Sequence, residues 1–169
     1  MGMKAVTGTM RSTGNITTTK ACLAALLAVL TLSACATSKR AGDLITPLSK
    51  FEMSSGFGMR APGRPHYGID LRARKGTPIY ASGNGRVTFA GRQRGFGRVV
   101  IIEHGGGVET FYAHMSGFAV REGKKVKQGQ KIGYVGKSGN ATGYHLHFEV
   151  RERGTPVDPL LRLSDMPRR

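Results

Sequence analysis

Five histidines occur in this 169-residue chain, and four of them fall into three compact groups: His66 with Asp70 in HYGID, His114 in FYAHM, and His145 with His147 in HLHFE. Zinc accepts imidazole nitrogen and carboxylate oxygen in tetrahedral geometry. A catalytic zinc site needs three protein ligands, a position open to water, and proton-handling groups nearby. Three of these five side chains can bind a metal, and two are left to work beside it. A purely structural site more often closes with a fourth protein ligand, commonly cysteine.

Strand geometry turns the spacing into faces. In HLHFEV, residues 145, 147 and 149 point one way, and the apolar Leu146, Phe148 and Val150 point to the core. His145 and His147 are then neighbours about 7 Å apart along one strand, so one can bind a metal while the other stands beside it. Glu149 shares their face; it could orient a histidine, but a solvated charge is the favoured reading. In the preceding segment Thr110, Tyr112 and His114 share a face, with Phe111, Ala113 and Met115 opposite. His114 is therefore expected beside polar groups rather than buried. Pro65 and Gly68 argue against a helix at HYGID, so His66 and Asp70 are expected on an extended segment or loop. His104, before three glycines, has no ligand set around it and reads as a structural turn residue.

These groups require a β-rich frame, and the composition supplies one: 25 glycines, no tryptophan, and short runs of β-branched and aromatic residues. Val87 and Phe89 share a face of GRVTFAG. RVVIIE at 98–103 and VETFYAHM at 108–115 form a hairpin around the glycines at 105–107. KVKQGQKIGYVG reads as two short strands in a second hairpin around Gln128-Gly129. HLHFEVRE at 145–152 is a further strand, ended at Gly154-Thr155-Pro156. Short strands with regular turn signals predict an all-β sandwich or barrel-like domain over residues 51–161.

The N-terminus addresses the chain. Lys4, Arg11 and Lys20 precede the apolar run at 21–32, which is shorter than the roughly 20 residues that span a bilayer. A basic start, a short apolar region and small residues at a cut describe a secretory signal over residues 1–34. Leu32-Ser33-Ala34-Cys35 resembles a lipobox, which implies a lipid on Cys35. Residues 35–50 then read as the lipidated cysteine and a flexible tether, and 162–169 as a basic frayed tail. Ala36 lacks the aspartate that retains many lipoproteins in the inner membrane. The resemblance therefore favours the outer membrane, with the domain facing the periplasm.

HYGID, TFYAHMS and TGYHLHFEV, in that order, resemble the lysostaphin/LytM-type zinc metallopeptidases of bacterial cell walls. SGFGMR at 55–60, GTPIYASGNGRVTFAG at 76–91, GRVVIIEHGGG at 97–107 and VKQGQKIGYVGKSGNATG at 126–143 extend the likeness across residues 51–161. The resemblance implies a small all-β domain of the duplicated hybrid motif type, with a narrow groove holding one zinc ion. His66, Asp70 and His147 match the metal ligands; His114 and His145 match the catalytic histidines. It implies an endopeptidase that cuts peptide bonds in peptidoglycan. Only five residues separate Arg60 from His66, a short link that implies a more open groove.

The net charge of +16 favours anionic partners. Export, and the lack of a basic stripe interleaved with aromatics, argue against nucleic acid. Attraction to the carboxylates of peptidoglycan is one use for the charge; a solvated face of Lys124, Lys125, Lys127, Lys131 and Lys137 is the plainer one. Some relatives of this fold have lost ligands and activate other wall hydrolases without cutting. The complete set of five residues here favours the enzyme.

Overall fold

The computed structural model describes residues 1–2 and 44–166. Residues 3–34 of the expected signal, Cys35, most of the expected tether and the last three residues lie outside the described residues. Thirteen strands and one turn of 3-10 helix make the described fold, an all-β architecture.

The strands that carry the site are β3 (Arg64–His66), β4 (Ile69–Arg72), β8 (Val108–Met115) and β12 (His145–Glu152). With β1 (Glu52–Ser55), β6 (Gly85–Gln93), β7 (Gly97–Glu103) and β10 (Lys125–Val126), three of them form one antiparallel sheet in the order β1-β4-β12-β8-β7-β6-β10. A last strand, β13 (Thr155–Val157), pairs back onto β12. A smaller sheet is built from β5 (Pro78–Tyr80), β11 (Lys131–Tyr134) and β9 (Gly117–Phe118), in the order β5-β11-β9. The strand β2 (Gly58–Ala61) pairs with β3 as a separate ribbon.

Alternation explains which face of the large sheet is inside. Ile69 and Leu71 of β4, and Leu146, Phe148 and Val150 of β12, are fully buried in one core with Ile79 and Ile132 of the small sheet. The other face carries Asp70, His147 and Glu149. It also holds a smaller cluster of Val99, Ile101, Phe111 and Ala113, against which Phe89 and Phe96 pack. The core face of β12 thus follows the sequence pattern, and so does the β7–β8 hairpin.

Four expectations are corrected. Val87 lies in the main core and Phe89 in the smaller cluster, because the β6–β7 register shifts between them. The segment around Gln128-Gly129 turns, with Gln130 N–H donating to the Lys127 carbonyl. Its two strands then part: β10 joins β6 in the large sheet, while β11 lies between β5 and β9 in the small one. The end of the tether is folded into the domain. Leu44 and Leu48 are buried, and Ile45 N–H donates to the Ser82 carbonyl. The start of the expected tail is folded too. Leu163 is buried and bridges Leu44, Ser164 N–H donates to the Leu44 carbonyl, and Thr46 donates to the Asp165 carboxylate. Apolar spacing in these two short segments is too sparse to show pairing across more than a hundred residues of chain.

Candidate metal centre

Asp70 and His147 meet because they are register partners on antiparallel β4 and β12, which holds their β-carbons about 5 Å apart. His66 ends β3 and is returned to the same point through Tyr67-Gly68. A β-carbon on Gly68 would collide with the Phe148 carbonyl oxygen of β12, so glycine permits the close approach of this corner.

Three donor atoms converge. His66 Nε2 lies 3.2 Å from Asp70 Oδ1 and 3.1 Å from His147 Nδ1, and His147 Nδ1 lies 2.9 Å from Asp70 Oδ1. Tetrahedral zinc with bonds of 2.0–2.1 Å sets its ligand atoms about 3.3 Å apart. The three residues form a possible metal-binding group among the described residues, all buried. The outer nitrogens are fixed as such a site requires. His66 Nδ1–H donates to the Gly56 carbonyl at 2.6 Å, and His147 Nε2–H donates to Glu149 Oε1 at 2.9 Å. The donor set therefore fits zinc.

Glu149 is not solvated. It is 1% exposed, and its second oxygen accepts from Arg151 Nε at 2.8 Å and pairs with Nη2 at 2.7 Å. The Arg151 guanidinium in turn lies over the Phe111 ring. Burial of the neighbouring Phe111 on β8 removes water from this end of β12, which residue spacing alone does not reveal. Arg60, on β2, was not singled out by spacing either. Its guanidinium hydrogen-bonds Asp70 Oδ2 and lies 2.7 Å from His66 Nε2. A positive group thus already stands against His66 Nε2 and the Asp70 carboxylate.

The electrostatics follow from these contacts. Burial would raise the Asp70 pKa, but hydrogen bonds from His147 and His66 outweigh it and hold the carboxylate far below the usual range. Burial would lower the His147 pKa, yet bonds to Asp70 and Glu149 raise it above the ordinary imidazole value.

His114 and His145 complete the wall, with ring centroids 4.8 Å apart. His145 Nδ1–H donates to the Gly143 carbonyl at 3.0 Å, and its Nε2 lies 3.7 Å from Asp70 Oδ1. His114 Nδ1–H donates to the Ser138 carbonyl at 2.8 Å. Both rings are thereby held by Nδ1, which leaves Nε2 for the cleft. His114 departs from simple alternation: it is buried, not set beside Thr110 and Tyr112. Its φ is +61°, and the β7–β8 register shifts so that Ala113 and His114 together oppose Val99. This is a β-bulge, which re-aims a side chain. It turns His114 toward the ring of His147 and leaves Tyr112 and Met115 in the main core. Burial, aided by His145 and His147, lowers the His114 pKa to about 4 against a weaker upward pull from the Ser138 carbonyl.

His104 lies elsewhere. Its Nδ1 bonds the Asn84 carbonyl at 2.8 Å and its Nε2 the Thr110 hydroxyl at 2.7 Å, a structural role as expected. The five residues line one cleft with Arg60, Phe96 and Asn140.

Residues 64–159 match the profile of peptidase family M23. The chain is 46% identical over 127 residues to the DD-carboxypeptidase/endopeptidase Mpg of Neisseria meningitidis, covering 72% of this chain and 29% of that protein. It is 40% identical over 118 residues to the peptidoglycan DD-endopeptidase ShyA of Vibrio cholerae, covering 66% and 27%. The matched region thus spans less than a third of these relatives. Among solved structures, a zinc-containing peptidase from Vibrio cholerae superposes with a TM-score of 0.67 at 35% identity, covering 74% of this chain and 41% of that one. The catalytic domain of lysostaphin from Staphylococcus simulans superposes with a TM-score of 0.61 at 32% identity, covering 66% and 90%.

Proposed function

The chain belongs to peptidase family M23, and from that premise we propose that it is a zinc metalloendopeptidase that hydrolyses peptide cross-links in peptidoglycan. The observation that carries this reading is the convergence of His66 Nε2, Asp70 Oδ1 and His147 Nδ1 beside two further histidines. The ShyA likeness supports peptidoglycan as the substrate, and the zinc-containing relative supports the metal.

His66, Asp70 and His147 would hold one zinc ion per chain. When bound, zinc supplies a water of lowered pKa and polarises the scissile carbonyl. The chain's own groups do the rest. Glu149, locked by Arg151, keeps the His147 ring in the tautomer whose Nδ1 faces the centre. His114 and His145 each offer Nε2 to the cleft. One of them, neutral, takes the proton of the attacking water on Nε2, and the other, carrying a proton on Nε2, donates it in a hydrogen bond to the developing oxyanion or passes it to the leaving amine. Their Nδ1–H bonds to Ser138 and Gly143 keep both rings aimed while this occurs.

We further propose that Cys35 carries a lipid that holds the domain at a membrane, the outer one by virtue of Ala36, facing the periplasm. The test of the enzymatic reading is muropeptide analysis of purified sacculi after incubation with the zinc-loaded protein. Release of cleaved cross-links, lost in His147→Ala, is expected. Full activity in that variant would refute the metal mechanism, and a protein that cuts nothing alone but accelerates another hydrolase would make it a regulator.

A further inference from the structure

We propose that the basic surface at the β6–β10 edge binds an anionic phospholipid bilayer. Five exposed cations gather there: Arg86, Arg121, Lys124, Lys125 and Lys127. Arg121 and the three lysines line two adjoining hollows that share Lys124 and Gln130, and Arg86 is the register partner of Lys125. Among the described residues none of the five has a carboxylate within 4 Å. The acidic groups beside them are Glu122 and Glu103, and a Glu103 oxygen is engaged by the Gly105 N–H. Glu103 opposes Arg86 on its other side, away from Lys125, and the Arg86 guanidinium donates to the Gly123 carbonyl, so the fold itself answers Arg86 while the lysines stay open to an anionic partner.

The occupant is chosen by where the chain enters. Ile45 N–H and Gln128 Nε2 share the Ser82 carbonyl, and Gln128 N–H donates to the Asn84 side chain. Asn84 and Lys127 line the same hollow. The chain arriving from Cys35 therefore joins the domain beside the lysines. Nine residues from Cys35 to Leu44 reach at most about 30 Å, which keeps this surface close to whatever holds residue 35. A basic cluster near a membrane attracts anionic lipid by about 1 kcal/mol per cation, roughly five-fold in affinity. The cleft lies at the other end of β6. Strand β6 starts at Gly85 in the basic surface, and the turn after its end carries Gly95, which lines the cleft. Nine residues of strand separate the two by roughly 30 Å. A domain docked through the basic surface therefore keeps its cleft clear of the bilayer.

The inference deepens the membrane attachment proposed above but does not need the lipid, so the two fail separately. The full chain carrying Cys35→Ser is co-sedimented with phosphatidylcholine vesicles, with and without phosphatidylglycerol. The apolar run at 21–32 contributes to both vesicle types alike. Phosphatidylglycerol is expected to strengthen binding at low salt, and Lys124→Gln/Lys125→Gln/Lys127→Gln in the same chain is expected to cut that gain at least about ten-fold, the cations left in place accounting for the remainder. The triple variant should keep its zinc content and unfolding midpoint, since none of the three lines the metal centre. Equal binding to both vesicle types overturns the proposal and leaves the lysines as guards against edge-strand pairing. A triple variant that keeps the full lipid preference overturns it as well. Loss of sacculus binding in the variant, with no lipid preference in the parent, assigns the surface to the wall instead.

Discussion

Glu149 and His147 are two residues apart on one strand, and the buried carboxylate of the first accepts the outer ring proton of the second at 2.9 Å. Arg151, stacked on Phe111, holds the other oxygen. The ring is thus oriented from behind before any metal arrives. Glu149→Gln keeps the shape and an accepting oxygen but removes the charge. It is expected to weaken zinc affinity by about 10-fold or more, read by chelator competition, while near-UV circular dichroism stays native. Unchanged affinity would show that the carboxylate serves packing alone.

His114 offers a second test through its backbone. At φ +61° a glycine is relaxed and an alanine is not. His114→Gly is therefore expected to be more stable than His114→Ala by about 1 kcal/mol, the reverse of the usual order in strands. Both variants, and His145→Ala, should lose at least about 100-fold in kcat while retaining zinc. Denaturant midpoints and metal analysis check both halves; equal midpoints would mean that the bulge relaxes on substitution.

Acid should act on the metal-free fold in a defined window. The folded His114 pKa, about 4, lies below its ordinary 6.5, so between these values the unfolded chain binds the proton more tightly. Stability is expected to fall as pH drops from 6.5 towards 4, by at most about 3 kcal/mol from this residue. Asp70, depressed by its histidine partners, adds a further loss once pH falls through the ordinary carboxylate range and below. Urea titrations of wild type and His114→Gln across this range would separate the two; identical slopes between pH 6.5 and 4 would exclude His114 as the source.

Metal binding should release a proton. His147 has a raised pKa when paired with Asp70 and Glu149, and its Nδ1 must be unprotonated to bind zinc. Affinity is expected to climb with pH through and above the ordinary imidazole range. Calorimetry in buffers of different ionisation enthalpy reads the released proton directly, and a heat independent of buffer would contradict the raised pKa.

Gly68→Ala places a methyl group against the Phe148 carbonyl. The corner must shift, at a cost of about 1–3 kcal/mol, and His66 shifts with it. Reduced zinc content at a lowered melting temperature is the expected result; a variant with wild-type zinc content would show that β3 adapts independently of β4.

Periodicity revealed most of what positions the ligands. The alternation of Leu146, Phe148 and Val150 with His145, His147 and Glu149 is local, and it placed β12 correctly with its core face inward. The five clustered residues are likewise brought to one cleft. The failures share a cause. The faces of His114 and Phe89 depend on register shifts against β7, which belong to a pair of strands and are not encoded in either strand's own pattern. Arg60 escaped notice because its partners, His66 and Asp70, are chosen by the β2–β3 ribbon rather than by spacing. Glu149 was misjudged because a carboxylate alternating with apolar residues looks the same whether water or an arginine waits on its other side.

The bridge between Leu44 and Leu163 has a modular consequence. Entry and exit of the described domain lie side by side, at a single doorway. Such a unit can be spliced into, or hung from, larger assemblies without rethreading any strand, which suits a domain whose counterparts occupy less than a third of much longer chains.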